Sequence, residues 1–217
     1  MIHAVSWSGG KDSTLALDRA VRQGLNVRYL FNIVYGPTGR VRFHGVRADV
    51  IARQAEALGL ELIQPYTTPR GFEPAFLSGL DELIAHGVGG IVFGNIHLAD
   101  VRAWYEERTT ARGLEHAEPL WGDPPRDLVR EVLARGYRTR VVSVDLVRGR
   151  RDWLARELDT ELAAEIAMYP GADPAGEQGE YHTFVFAGPL FHHNVAHRIG
   201  EIHEEEGHVQ VDVLPES

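Results

Sequence analysis

The run Trp7-Ser8-Gly9-Gly10-Lys11-Asp12-Ser13 combines small, donor-rich and charged residues in an order that suits a polyphosphate. Gly9 and Gly10 let the backbone turn tightly and present its N–H groups. Ser8 and Ser13 add hydroxyl donors. Lys11 adds a full positive charge, and Asp12 a carboxylate able to hold Mg²⁺ between phosphate oxygens. An apolar, strand-like segment precedes the run and a helical pattern follows it. The partial positive charge and free N–H groups of a helix N-terminus therefore face the same pocket. The loop is not G-x-x-x-x-G-K-[ST], because Asp12 follows Lys11, and it is not G-x-G-x-x-G.

A second constellation is Gly176-Glu177-Gln178-Gly179-Glu180-Tyr181-His182-Thr183. Two carboxylates, an imidazole and a hydroxyl suit the orientation of an amine or ammonium and the acceptance of its proton. Gly176 and Gly179 permit close approach of a ligand to the backbone. On residue types alone the run also reads as a solvated acidic turn leading into a strand. Other clusters carry less. His192, His193 and His197 complete no ligand set. His203-Glu204-Glu205-Glu206-Gly207-His208 is one residue too long for H-E-x-x-H and reads as a charged hairpin turn. Arg148-Gly149-Arg150-Arg151 reads as a solvated basic loop or a contact for an anionic partner.

These residues must be positioned by a framework, and the pattern predicts one. Ile2–Trp7, Val27–Tyr35, Glu61–Tyr66 and Gly90–Phe93 read as strands, with Glu115–Pro119 a short fifth. Thr14–Gln23, Val46–Leu58, Phe72–His86 and Leu98–Arg112 read as helices, with Gly24, Gly59 and Gly113 as the closing residues of three of them. Alternating strands and helices predict a parallel sheet covered on both faces, with ligands at the carboxyl ends of the strands. After Trp121-Gly122-Asp123-Pro124-Pro125 the rhythm changes. A helix (Arg126–Arg135), a strand (Arg140–Val147), a long helix (Asp152–Met168, Asp152 as N-cap), a loop (Pro170–Gly179) and strands near Tyr181–Phe186, Val195–His203 and Val209–Leu214 are expected. The boundary is set near residue 122, giving units 1–122 and 123–217.

Composition narrows the chemistry. The 217 residues carry a formal charge of -9, which counts against a basic nucleic-acid-binding face. No apolar run approaches a membrane span, and no secretory signal is evident, so the cytoplasm is the default compartment. There is no cysteine, which excludes disulfides, thiolate metal sites and cysteine nucleophiles. Of the 22 basic residues only Lys11 is a lysine, and it falls inside the glycine loop.

Ser-Gly-Gly-Lys-Asp-Ser between strand and helix resembles the PP-loop of the ATP pyrophosphatase superfamily, whose members cleave ATP between the α and β phosphates. The missing cysteines set aside its sulfur-transfer branches. His44-Gly45-Val46, Phe93-Gly94-Asn95-Ile96-His97-Leu98, Glu118-Pro119-Leu120-Trp121-Gly122 and Gly176–Val185, in this order, resemble the diphthine–ammonia ligase family over nearly the whole chain. The family commonly shows Asn where this chain has Gln178, and often an acidic residue where it has Asn95.

The resemblance implies a Rossmann-like α/β fold of the adenine nucleotide alpha hydrolase type, with a smaller α+β C-terminal domain. It implies ATP and Mg²⁺ as cofactors, with Ser8, Gly9, Gly10, Lys11, Asp12, Ser13, Gly94 and Asn95 holding the nucleotide and Asp12 the metal. It implies Lys11, Asp12, Glu177, Glu180 and His182 as catalytic residues. His44, Trp121, Gly179, Tyr181 and Thr183 join Glu177, Glu180 and His182 in holding the substrate. The partners are then a protein or small-molecule carboxylate and ammonia or an amine, with ammonia free or delivered by another protein; a homo-oligomer is compatible. An ATP- or AMP-binding sensor and a non-sulfur tRNA-modifying enzyme stay open as alternatives.

Overall fold

The computed structural model describes residues 1–41, 44–68, 71–205 and 207–216. Its first half runs β1 (Ile2–Ser6), α1 (Lys11–Arg22), β2 (Asn26–Phe31), β3 (Val34–Tyr35), β4 (Arg40–Val41), α2 (Ala48–Leu58), β5 (Glu61–Ile63), β6 (Tyr66–Thr67), α3 (Phe72–Ala85), β7 (Val88–Val92), α4 (Ala99–Thr110) and β8 (Glu115–Ala117). Its second half runs α5 (Pro125–Ala134), β9 (Arg138–Asp145), α6 (Thr160–Met168), β10 (Tyr181–Ala187), β11 (His197–Glu205) and β12 (His208–Pro215).

The expected parallel sheet forms in the order β5-β2-β1-β7-β8. The chain builds outward from β1 to one edge, then returns to build from β7 to the other. The carboxyl ends of β1 and β7 therefore flank the topological switch point, where open α/β sheets bind ligands. The second half makes an antiparallel sheet, β10-β9-β12-β11. α1 and α2 lie between the two sheets. α1 packs on β1, β2 and β7 from one side and meets β10 and α5 from the other. This explains why α1 is buried nearly all round, Thr14, Leu15, Ala16, Leu17, Asp18 and Ala20 included. One apolar core runs through both halves, from Val5, Leu15 and Ile51 to Val141, Phe184 and Val211. A second core, with Phe31, Phe76, Leu80 and Phe93, fills the other face of the parallel sheet.

Several elements differ from expectation. Val27–Tyr35 is not one strand: β2 ends at Phe31, and β3 joins a small separate sheet, β4-β3-β6. Pro65, which has no N–H to donate, divides Glu61–Tyr66 into β5 and β6 in the same way. α1 starts at Lys11 rather than Thr14, with Gly10 as its N-cap. The predicted helix Asp152–Met168 is replaced by a single 3-10 turn at Arg151–Trp153 and a shorter α6. Ala155 instead turns the chain at φ 64°, and residues 156–158 run along β9, with Ala155 N–H donating to Val141 O (2.9 Å) and Leu158 N–H to Thr139 O (2.8 Å). The N-cap is Asp159, whose carboxylate accepts from Leu162 N–H at 2.8 Å. Of the predicted turn at Glu204–Gly207, Glu206 lies outside the described residues.

The two halves are joined by buried polar bonds as well as by apolar packing. Gln54 on α2 accepts from Trp7 Nε1 (2.9 Å) and donates through Nε2 to Gly9 O (3.0 Å) and Val185 O (2.6 Å). Asp18 on α1, fully buried, accepts from Tyr137 Oη (2.9 Å) and Arg135 (2.8 Å). Replacing Gln54 strands Trp7 Nε1 and takes one bond each from Val185 O and Gly9 O in a dry setting, where an orphaned polar atom costs about 1–3 kcal/mol. Gln54→Leu is therefore expected to lower the unfolding free energy by about 2–4 kcal/mol in urea titration. An unchanged value would show that the clamp does not support the loop.

Candidate active site

The phosphate loop leaves β1 and enters α1 within four residues, Trp7 to Gly10. Gly9 sits at φ 82°, and an added Cβ there would lie 2.7 Å from Gln54 Oε1 and Ile51 Cδ1. Only glycine meets both demands. The C-terminal strand holds the loop in place. Val185 N–H donates to Gly9 O (2.9 Å), and Lys11 N–H donates to Thr183 Oγ1 (3.0 Å). Thr183 thus serves as a side-chain acceptor for an N–H that the helix start leaves unbonded. The loop after β7 approaches from the other flank. A Cβ at Gly94 would lie 3.0 Å from the carbonyl of Asp12, so this glycine is what lets the two loops touch.

A cavity of about 740 Å³ opens between them. Ser8, Asp12, Ser13, Gly94 and Asn95 line it from the first half, Glu177, Gly179 and His182 from the second, and His44 from the loop before α2. Ser8 and Ser13 hydroxyls lie 3.3 Å apart. Phe72, Phe76, Phe93 and Tyr105 form an aromatic wall, with Phe93 and Tyr105 rings 4.8 Å apart. Asp145, Arg148 and His208 form a polar wall with the His44–His182 pair, whose rings are 4.3 Å apart. A separate apolar cleft of about 490 Å³ between α5 and α6 holds none of these residues.

Not every expected residue reaches the cavity. Lys11 Nζ is buried behind it, bonded to Asp12 Oδ2 (2.9 Å) and Ala175 O and lying 4.8 Å from the centre of the Tyr181 ring. Burial alone would lower its pKa. The Asp12 charge, Tyr181, the Asp12 hydrogen bond and Glu177 outweigh that, and the ammonium is held above its ordinary value. Glu180 is fully buried and accepts from the N–H groups of Asp173 (2.9 Å) and Gln178 (3.1 Å). It shapes the loop that carries Glu177 and does not face the cavity. Tyr181 and Thr183 lie behind the wall. Trp121 is set apart from it, under the Arg102 guanidinium at 4.6 Å.

The loop from 173 to 180 is pinned to the first half at three points. Besides the Lys11–Ala175 bond, Glu177 Oε1 accepts from Ile96 N–H (2.9 Å) and Asp173 Oδ2 meets His97 Nε2 (2.6 Å). Burial pushes the Glu177 carboxyl up to about 7, against the Ile96 hydrogen bond and with help from the Asp12 charge. His182 is held well below the usual histidine range, by loss of water first and then by His44, Lys11 and His208. A carboxyl that ionises near neutrality is suited to taking a proton, and a neutral imidazole to orienting a hydrogen-bond donor.

Phe72, Phe76, Tyr105 and Asp145 line the cavity without a local signal in the sequence, and His208, expected only in a charged hairpin turn, lines it as well. Gln54 was also passed over, although a local signal existed. It occupies the i+3 place in the apolar stripe Ile51, Ala55, Leu58, where a polar residue needs a buried partner. Among the described residues, no group of three or more His, Cys, Asp or Glu is arranged to hold a metal ion by itself, and no helix is long and apolar enough to cross a membrane.

Residues 1–116 match the family model for the diphthamide synthase N-terminal domain, and residues 124–213 match that for its C-terminal domain. No curated protein matches the chain. Among solved structures, a predicted subunit of tRNA methyltransferase from Methanocaldococcus jannaschii is similar at 18% identity, over 87% of this chain and 97% of that one, with a TM-score of 0.46. The U34-tRNA thiolase NcsA from Methanococcus maripaludis is similar at 17% identity, over 62% of this chain and 56% of that one, with a TM-score of 0.35.

The raised Glu177 pKa has a consequence for stability. A carboxyl with a pKa of about 7 when folded and near 4.5 when unfolded binds more protons in the folded state between those values. Stability from this group is therefore present below about pH 4.5 and is lost as pH rises through 7. The ligand-free protein is expected to lose on the order of 2 kcal/mol across that window through Glu177. Glu177→Gln should remove that part of the slope in denaturant titrations at several pH values. An identical slope in the variant would assign the raised pKa elsewhere.

Proposed function

The chain belongs to the diphthamide synthase family, and from that premise we propose that it is an ATP-dependent ligase of the diphthine–ammonia type. The observation that carries this reading is the cavity at the β1–β7 switch point, with Ser8, Asp12 and Ser13 on one wall and Glu177 and His182 on another. One wall suits a leaving pyrophosphate; the other suits an amine.

In the first step a substrate carboxylate oxygen attacks the α-phosphorus of ATP. An O–P bond forms, the bond to the β-phosphate bridge breaks, and pyrophosphate leaves. The Ser8 and Ser13 hydroxyls and the N-terminus of α1 bind the departing phosphates, while Gly9 and Gly10 give the loop its curvature. Lys11, charged and close behind Asp12, offsets charge that grows on them. Gly94 and Asn95 flank the nucleotide.

In the second step ammonia or another amine attacks the acyl carbon. A C–N bond forms, the C–O bond to AMP breaks, and AMP departs with the electron pair. Glu177, which ionises near neutrality, takes the proton from the amine, and neutral His182 and its partner His44 orient it. Glu180 holds the Glu177 loop in shape. A Mg²⁺ that arrives with the nucleotide needs only one or two protein carboxylates beside the phosphates, and Asp12 on the cavity wall fits that part. The ion would supply charge neutralisation on the phosphates.

Incubation with Mg-ATP, ammonium and candidate carboxylates is expected to yield AMP and pyrophosphate. ADP and phosphate as the only products would contradict the mechanism. Lys11→Met is expected to cut turnover by about 10²–10³. Turnover equal to wild type in a folded Lys11→Met protein would remove Lys11 from the reaction.

A further inference from the structure

Asn95 is the cavity residue whose hydrogen bonding is most completely decided by what lies behind it. Its Nδ2 donates to Glu118 Oε1 at 2.8 Å. The Glu118 side chain is only 2% exposed and sits outside the cavity. The same oxygen meets His116 Nε2 at 2.9 Å, and Oε2 lies 3.3 Å from Arg102 Nε. His116 is in turn anchored through Nδ1 to Thr109 Oγ1 (3.1 Å) and stacks on Phe93, 4.8 Å between ring centres.

An ionised carboxylate only accepts hydrogen bonds. The Asn95 amide must therefore turn its NH₂ toward Glu118, which leaves the carbonyl oxygen, Oδ1, on the cavity side. Among the described residues Oδ1 meets no donor. Next to it, the backbone N–H of Ile96 is already taken by Glu177, another cavity residue. The loop after β7 thus offers the cavity an uncharged acceptor beside the Glu177 carboxyl.

We propose that Glu118 is a positioning residue that fixes Asn95 as an acceptor for the N–H groups of the incoming amine. This rests on the ligase reading above and deepens it, since it assigns the amine a specificity-determining contact. An amine or ammonium can donate to Oδ1; an anion with no hydrogen to donate cannot. The bond to Asn95 Oδ1 and the bond to Glu177 then orient the nitrogen lone pair away from both.

Glu118→Gln gives a clear expectation. The Arg102 guanidinium, an ion-pair neighbour 3.3 Å from Oε2, favours the amide oxygen on its side, so the new NH₂ turns toward His116 and Asn95. His116 can accept after a change of tautomer. Asn95 then reverses, pointing its NH₂ into the cavity.

The test uses the full chain with Mg-ATP, ammonium chloride as the amine probe and, for turnover, the carboxylate that supports AMP and pyrophosphate release in the assay above. In nitrogen-15-labelled wild type, the Asn95 side-chain amide signals should shift saturably with ammonium. In Glu118→Gln they should be displaced before any ammonium is added. In pyrophosphate-release assays Glu118→Gln should raise KM for ammonium about tenfold, the loss of one good hydrogen bond, and by more than it raises KM for ATP. Asn95→Ala, at a half-buried position that perturbs the core little, should raise KM for ammonium to the same extent and serves if Glu118→Gln fails to fold. Identical Asn95 amide signals in wild type and Glu118→Gln would overturn the proposal, and so would an unchanged ammonium KM in Asn95→Ala. If wild type releases no pyrophosphate, the ligase reading fails by itself, and the amide signals still decide the orientation of Asn95.

Discussion

The phosphate loop hangs on a strand that the chain reaches much later. Lys11 N–H is capped by Thr183, 172 positions on, and Gly9 O accepts from Val185 N–H. A helix start normally leaves its first N–H groups to water or ligand. Here one of them is committed to β10, so the N-terminus of α1 is set in place before any phosphate arrives. Gln54 fastens the same loop to α2 and to β10 at once. The parallel sheet provides the switch point, and the antiparallel sheet holds the loop that uses it. This is why α1 and α2 lie between two sheets rather than on the surface of one.

Charge in the cavity follows from the same arrangement. Burying Lys11 costs solvation that an isolated ammonium would not recover. Asp12, the Ala175 carbonyl and the face of Tyr181 replace the lost water. The lysine thereby becomes a tie between the phosphate loop and the 173–180 segment, in addition to any part it plays toward a nucleotide. Glu177 hangs from that segment and reaches back to Ile96. The two walls of the cavity are linked through their charged residues, so a ligand that moves one acts on the other.

How much of this was legible in the sequence depends on the range of the forces involved. The loop, the strands around it and the left-handed cap at Gly59 are local features, and the alternation of apolar runs foretold the parallel sheet. The helix expected from Asp152 was misplaced because Asp152 and Asp159 carry the same capping chemistry. The stretch of β9 that β12 leaves unpaired drew residues 156–158 alongside it, and only Asp159 was left to start a helix. Glu177 and Glu180 look alike in sequence. In the fold one carboxylate faces the cavity and the other is spent on the backbone of its own turn. Lys11 was read as pointing at phosphate, because its contact with Ala175 spans 164 positions and leaves no local trace. Trp121 was read as a cleft residue and instead lies under Arg102.

The central claim is that the N-terminal phosphate loop and the C-terminal 173–185 segment form one ligand-responsive unit. Hydrogen–deuterium exchange on the whole protein, titrated with Mg²⁺ and a nucleotide that cannot be cleaved between the α and β phosphates, tests it directly. Protection should rise in segments 8–14 and 173–185 together, with the same dependence on nucleotide concentration. Protection confined to segment 8–14, with 173–185 exchanging as in the free protein, would contradict it.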